Sequence, residues 1–327
     1  MLDLMRRLWL TLMAVVALLA GSCGSDEEPT ATGTSSIATT TTVAASTSTP
    51  PTTTAPATTT AASTTATAPS TTAAVATEGG DVNVYWSWSI PTIVSGTPER
   101  LGAGGRPEAE TDAVGAAIEA LLAGPDDVES EIGMGTEIPP GTRLESWEHI
   151  ATTAVIGLSS AFETPSGTLS EVMRVAQVVF TATQFDEIDT VRFRIDGADV
   201  DVLGSHGLEV GDGLDRDDFA DVRPFILVES PTPGAVVDSP LAITGESNTF
   251  EATVEYAVTD AEGLIVAEGI TTALGGNGTW GPFEIITDLP PDLEGTGAVI
   301  VFNTSAVDGT QIDVVEYPIR FQSEDQP

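Results

Sequence analysis

Val191-Arg192-Phe193-Arg194-Ile195-Asp196-Gly197-Ala198-Asp199-Val200-Asp201 joins two alternating runs through an Asp-Gly pair. Asp-Gly favours a two-residue hairpin turn because both central residues then take positive φ. The turn predicts strands over Thr190–Ile195 and Ala198–Leu203. It pairs Ile195 with Ala198, Arg194 with Asp199, Phe193 with Val200 and Arg192 with Asp201. Alternation sends Val191 and Phe193 to a core and both Arg–Asp pairs to the opposite face. Exposed pairs of this kind contribute about 0.2–1 kcal/mol each. They therefore read as devices for register and solubility, with an anion-binding patch at Arg192 and Arg194 as the alternative.

Upstream of the hairpin, Thr168-Leu169-Ser170-Glu171 has the spacing of a capping box, and Val172, Ala176 and Val179 then share one helical face. Several residues of this helix are β-branched, so packing rather than propensity must hold it. Thr142–Ile150 and Thr153–Ser159 read as two strands. Before them, Glu108–Ala123 reads as a helix whose Val114, Ala117, Ile118, Leu121 and Leu122 form one face, stopped by Gly124-Pro125. Val82, Val84, Trp86 and Trp88 alternate on a first strand. The order β-α-β-β-α-β-β over 81–221 predicts an α+β domain, with two helices on one face of a mixed sheet.

From 224 to 321 the pattern changes to short strands and turns. Seven strands are expected at Phe225–Glu229, Leu241–Gly245, Thr253–Thr259, Leu264–Thr272, Trp280–Thr287, Ala298–Ser305 and Ile312–Phe321. Their spacing predicts an all-β immunoglobulin-like sandwich without a disulfide, with Trp280 or Phe283 at its centre.

The N-terminal quarter is of another kind. Arg6 and Arg7 precede an apolar run, Leu8–Ala20, and Ala20-Gly21-Ser22 places small residues before Cys23, the sole cysteine of 327 residues. The run is short for a membrane span and has signal-peptide flanks. Small residues before a cysteine resemble the lipobox of bacterial lipoproteins, with Ala20 where leucine is more usual. The resemblance implies a signal peptide over 1–22, lipidation at Cys23 and anchoring by two acyl chains. Pro29–Thr77 has no charged residue and is mostly Thr, Ala, Ser and Pro. Such sequence cannot bury enough apolar surface to offset its ordering entropy, so 23–80 is expected to be a disordered stalk.

Charge excludes some partners. There is no lysine, and 11 Arg face 49 Asp and Glu for a net charge of −38. That surface repels nucleic acid and anionic lipid, so no nucleic acid is expected as a partner. Any charge-driven partner should be basic.

Two sets of motifs carry a family resemblance. The first is Leu121-Leu122-Ala123-Gly124-Pro125, Ile138-Pro139-Pro140-Gly141-Thr142, Ala176-Gln177-Val178-Val179-Phe180-Thr181-Ala182-Thr183-Gln184 and Val191-Arg192-Phe193-Arg194-Ile195-Asp196-Gly197. It resembles the sporulation and spore-germination GerM domain, GerMN. The second is Ser230-Pro231, Ser239-Pro240-Leu241, Gly245, Phe250-Glu251, Gly281-Pro282-Phe283 and Ser305-Ala306-Val307-Asp308-Gly309. It resembles the immunoglobulin-like domain of bacterial spore germination. The resemblance covers nearly everything from Asp81 onward. It implies an extracytoplasmic lipoprotein acting through protein or cell-wall association, and it carries no catalytic residues.

Chemistry-bearing patterns are sparse. The histidines are His149 and His206, and Ser205 stands beside His206. Gly157-Leu158-Ser159-Ser160-Ala161 departs from the nucleophile-elbow pattern at its last position. Two histidines and one cysteine make no zinc set. Asp212, Asp215, Asp217 and Asp218 are oxygen-rich but lack EF-hand spacing, and they read as caps of a short helix. Gln177 and Gln184 read as buried amides satisfying a neighbouring loop. Neither cofactor nor metal is expected. The favoured function is a non-enzymatic envelope interaction or scaffold module on the extracytoplasmic face of the cell membrane, docking an envelope protein or the cell wall. Its candidate interaction surfaces are Arg192 and Arg194, an edge strand of the sandwich, and Trp86 and Trp88, although these two continue the face begun by Val82 and Val84 and so read first as core packing under a helix. The alternative is a solute- or glycan-binding lipoprotein using Trp86, Trp88 or the 96–105 loop.

Overall fold

The computed structural model describes residues 81–89, 100–107, 109 and 111–322. The signal peptide, Cys23 and the stalk lie outside the described residues, as does part of the 96–105 loop.

β1 (Asp81–Trp88) forms as its alternation predicts and pairs antiparallel along its whole length with β2 (Arg100–Pro107). β2 was expected as loop because its sequence, Arg-Leu-Gly-Ala-Gly-Gly-Arg-Pro, is rich in glycine. Its glycines make room for large neighbours. A Cβ on Gly102 would press on Met134 and Trp88, and one on Gly104 would overlap Glu129 and Trp86. Small residues opposite tryptophans are thus what lets this ladder close. β3 (Met134–Gly135) adds a short third strand on the other side of β1.

Helix α1 (Ala113–Ala123) starts later than expected. Asp112 caps it, accepting from the Gly115 N–H at 3.1 Å. A short unforeseen helix, α2 (Asp127–Glu131), follows with a full capping box from Asp126 and Glu129. β4 (Leu144–Ile150) and β5 (Thr153–Leu158) form the expected hairpin. α3 (Thr168–Ala182) is the second long helix. Its capping box is absent: Gly167 is the N-cap and makes no side-chain cap, because the Glu171 carboxylate turns to Ser205 and His206 instead.

β6 (Thr190–Ile195) lies parallel to β5, and the Asp196-Gly197 turn leads to β7 (Ala198–Asp199) in the predicted register, Ile195 with Ala198 and Arg194 with Asp199. The Val200 N–H still reaches the Phe193 carbonyl at 3.3 Å. Beyond it the hairpin ends, and Arg192 and Asp201 form no ion pair among the described residues. Leu214 takes over instead, exchanging both backbone hydrogen bonds with Val191 at 2.8 and 2.9 Å. Val191 and Phe193 are buried, as the alternation requires. β8 (Val202–Leu203) and β9 (Leu208–Glu209) form a separate small hairpin.

The strands of this region therefore form two principal sheets, β2-β1-β3 and β4-β5-β6-β7, rather than one. α1 and α3 pack on each other and on β1, while α1 also meets β4 and α3 meets β6. The expected pair of helices on one face of a single mixed sheet is replaced by helices that touch both sheets.

The remainder is β-rich as predicted. β10 (Ile226–Ser230), β12 (Leu241–Ser247) and β15 (Gly281–Thr287) form one sheet. β11 (Val236–Val237), β17 (Gln311–Phe321), β16 (Gly295–Thr304), β13 (Thr253–Asp260) and β14 (Ile265–Thr272) form the other, in that order. All seven expected strands are present, and only the two-residue β11 is additional. Phe283 is buried between the sheets, whereas Trp280 is half-buried and donates its Nε1–H to the Pro224 carbonyl at 3.0 Å.

One hydrophobic core runs through both regions. Trp88 of β1 and Tyr317 of β17 meet at a tilt with ring centroids 5.4 Å apart, and the Leu101 N–H donates to the Val222 carbonyl. Among the described residues no helix is long and apolar enough to cross a membrane.

Candidate functional site

β1 is buried on both faces, which its odd-numbered residues did not announce. Tyr85, opposite in parity to the Val–Trp face, is fully buried against Phe180 of α3. Its hydroxyl donates to Glu229 of β10, the first strand of the sandwich. Arg216 completes the group. Its guanidinium lies 3.0 Å from Glu229, 3.2 Å from Glu246 and 3.0 Å from the Tyr85 hydroxyl. It also lies over the rings of Tyr85 and Phe180 at 5.2 and 4.9 Å. Arg223 sits beside it, bonded to Glu246 and stacked 4.8 Å over Trp280. Two arginines, two glutamates and a tyrosine thus cross-link the regions on either side of residue 222.

Electrostatics here favour the charged pairs. Burial works against the Arg216 charge, but the Glu229 and Glu246 carboxylates more than offset it, so its pKa is raised. Burial and the neighbouring Glu229 carboxylate push the Tyr85 phenol well above its ordinary value, so it stays a donor. Its charges are paired mainly among its own members, which suits a structural clamp, and the buried Arg223 Nε is left without a partner among the described residues. Sequence reading placed Arg216 in an acidic capping run and missed this role. The available signal was scarcity: few cations sit among many acids, and two of them flank the boundary between the regions.

A second cluster lies at the start of α3. The buried Glu171 carboxylate accepts from Ser205 Oγ at 2.6 Å, from the Ser205 N–H at 3.0 Å and from the His206 N–H at 3.1 Å, and lies 3.0 Å from His206 Nδ1. Donation from the Ser205 hydroxyl is the largest influence holding its pKa well below the carboxylate range, ahead of the opposing effect of burial. Serine, histidine and acid meet, but not as a relay. A nucleophilic hydroxyl must donate to one imidazole nitrogen while the acid holds the other. Here the hydroxyl donates to the acid, and both crowd the same nitrogen. The cluster pins the 203–207 turn onto α3. Beside it an open cleft of about 460 Å³ is lined by Thr168, Val172, Leu208, Leu214, Asp218 and Phe219. In the 212–218 run two acids act as caps, Asp215 accepting from the Asp217 N–H at 2.8 Å and Asp218 from the Asp215 N–H at 2.9 Å, while Asp217 pairs with Arg223 at 3.2 Å.

The sequence-derived surface residues divide. Trp86 and Trp88 are buried, which corrects their candidacy as an exposed platform. Trp86 lies under the Arg106 guanidinium at 5.5 Å, and Trp88 donates to the Ile132 carbonyl at 2.8 Å. Arg194 is held between Asp199 at 2.7 Å and Glu148 at 2.9 Å, so its charge is spent locally. Arg192 is exposed.

Gln177 and Gln184 turn out to finish a sheet. β1 has β2 along one edge, but on the other β3 meets only Ser87 and Trp88. α3 and the turn after it supply the rest. Gln177 Nε2 donates to the Tyr85 carbonyl at 3.0 Å, the Tyr85 N–H donates to Thr181 Oγ at 3.3 Å, and Gln184 both accepts from and donates to the Asn83 backbone at 2.6 Å. The spacing 177, 181, 184 follows one helical face, so side-chain amides stand in for a missing strand.

Comparison with known proteins completes the description. Residues 83–201 match the family model for sporulation and spore germination, and residues 225–310 match that for the immunoglobulin-like domain of bacterial spore germination. No curated protein matches the sequence. Among solved structures, the first GerMN domain of the sporulation protein GerM from Bacillus subtilis is 23% identical, with 42% of this chain and 99% of that one aligned and a TM-score of 0.34. The tandem GerMN domains of the same protein align at 18% identity over 64% of this chain and 61% of that one, with a TM-score of 0.35. A chain from Clostridium perfringens assigned to the lipoproteins aligns at 18% identity over 44% of this chain and 93% of that one, with a TM-score of 0.30.

Proposed function

Since the chain carries a GerMN-like sporulation and spore germination domain followed by a spore-germination immunoglobulin-like domain, we propose that it is a non-enzymatic interaction module of the cell envelope. In this reading a lipid on Cys23 holds it at the extracytoplasmic face of the membrane, and its two regions dock an envelope protein or the cell wall. The observation that carries the reading is the clamp of Arg216, Tyr85, Glu229, Glu246 and Arg223. Of these charges Arg223 is buried and Arg216, Glu229 and Glu246 are half-buried, and charges withdrawn from water are costly unless they are paired. A protein that places them between two regions keeps those regions in fixed relation, and a fixed relation is what a scaffold presenting two surfaces needs. The Glu171 cluster adds support, since its acid is committed to holding a turn.

The test is photocrosslinking of the full-length chain in its native envelope. A specific protein or cell-wall adduct is expected, and Cys23→Ala should leave the membrane fraction. Turnover of a peptide, ester or glycan that is abolished by one carboxylate substitution overturns the reading.

A further inference from the structure

Unpaired strand edges invite association, and proteins usually blunt them. The sandwich has four sheet edges, and three are blunted by identifiable means. β11 is only two residues long, and the adjoining Gly234 carbonyl is taken by Arg320. β10 packs against β2 of the first region. β15 contains Pro282, which has no N–H to offer; the Pro282 carbonyl accepts from the Leu274 N–H, and that of Glu284 accepts from Thr271 Oγ.

β14 is the exception. It is eight residues long, contains no proline and ends the five-stranded sheet. Among the described residues, no backbone group from Ile265 to Ile270 has a partner outside its ladder with β13. Its exposure is apolar: Ile270 is 68% exposed and Ile265 51%, with Leu264 exposed beside them. Alternation puts Glu268 and Ile270 on one face, while Ala267 and Gly269 turn inward, Gly269 against the Tyr256 ring. Glu255 is the cross-strand partner of Ile270, so the edge presents an acid, an apolar side chain and a second acid together. Among the described residues nothing cationic balances them. Residues 222–322 hold two arginines, and both are engaged elsewhere, Arg223 with Glu246 and Arg320 with Gly234.

We propose that the free edge of β14 receives an extended basic peptide segment of a partner by strand addition. Main-chain hydrogen bonds to β14 would supply the affinity. Selection would come from a cationic side chain beside Glu268 and an apolar one beside Ile270, two residues apart on the same face of the incoming strand. A second copy of this chain suits the edge poorly, because it brings carboxylates against carboxylates. The inference rests on the interaction-module reading but is tested apart from it, on purified protein without envelope.

The probe is a labelled peptide of repeated Arg-Thr-Val-Thr, titrated into the full-length chain and followed by fluorescence anisotropy, with amide exchange read in parallel. Binding is expected to slow exchange in β14 and to weaken as salt rises. N-methylation of alternate peptide nitrogens should abolish it. Glu268→Lys should weaken it at least tenfold, and Ile270→Thr should weaken it as well. Asp238→Lys, an equal charge change near the opposite edge, should leave it within twofold. Both Glu268 and Ile270 are exposed, so these variants keep the fold. The proposal is overturned by absence of binding, by equal binding of the N-methylated peptide, by equal effects of Glu268→Lys and Asp238→Lys, or by self-association of the chain through β14. Loss of the envelope adduct with peptide binding intact would count against the envelope role and leave the β14 site standing.

Discussion

The two regions meet the same difficulty, a sheet edge with unspent hydrogen bonds, by different means. In the first, the open edge of β1 is closed by side chains: Gln177, Thr181 and Gln184 reach across from α3 and its C-terminal turn. In the second, main chain pairs with main chain, and edges are shortened, packed over or interrupted by proline, with β14 left open. A side-chain closure needs particular residues at particular helical positions, whereas a strand ladder needs only alternation. The first region should therefore be sensitive to single polar substitutions and the second more tolerant of them.

The largest expected effect lies where the regions join. Arg216→Ala takes the shared cation from the half-buried Glu229 and Glu246, of which only Glu246 keeps Arg223, and stranding a charged group in this way costs about 3 kcal/mol, the upper end for an unpaired polar group. Chemical denaturation should show that loss, along with earlier exposure of Trp280. A loss below about 1 kcal/mol would mean that the clamp behaves as a surface ion pair.

Next in size is the amide closure. Gln184→Ala orphans both the N–H and the carbonyl of Asn83, at a cost of about 1–3 kcal/mol. Faster amide exchange at Asn83 and Tyr85, with the sandwich unaffected, is the expected signature. Outward-facing Thr272→Ala on β14 serves as the contrast and should lie within about 0.5 kcal/mol of the parent. Equal effects at the two sites would erase the distinction between the regions.

A smaller effect depends on pH. Glu171 is held below its ordinary range, so the folded state binds its proton less readily than the unfolded state. Its contribution is full above the unfolded value of about 4.3 and is lost as pH falls through the lower folded value. The Glu171 side-chain carboxyl carbon resonance should hold steady through pH 5 and move only well below pH 4. A transition near the ordinary carboxylate value would contradict the hydrogen-bond pattern. Smallest of all is Arg194→Ala, expected to leave the denaturation midpoint close to that of the parent because the pairs it breaks are screened by solvent.

Legibility in the sequence followed the same division. The sandwich strands were readable because burial on one face imposes a period of two, as in Leu241–Ser247, where buried and half-buried residues alternate without a break. The Asp196-Gly197 turn fixed its register for the same local reason. β2 was hidden because its glycines answer to Trp86 and Trp88, which are distant in sequence. The hairpin was overextended because Leu214 competes for Val191, and no local pattern announces that. Trp86 and Trp88 were correctly aligned on one face, yet as surface candidates they failed because β1 has a second layer over it. Of the clamp only two scarce arginines beside the boundary were legible, because Tyr85, Arg216 and Glu229 are joined by the fold, not by spacing.

The position of Tyr85 has a mechanical consequence. A pull delivered to Asp81 by the preceding chain enters β1 from its end, and β1 is the strand whose middle residue is bolted through Glu229 to the sandwich. Tension would then pass directly from the first strand of one region to the first strand of the other, bypassing the loops. Extension under force should therefore begin as one cooperative rip of both regions, with separate steps appearing once Arg216 or Glu229 is replaced.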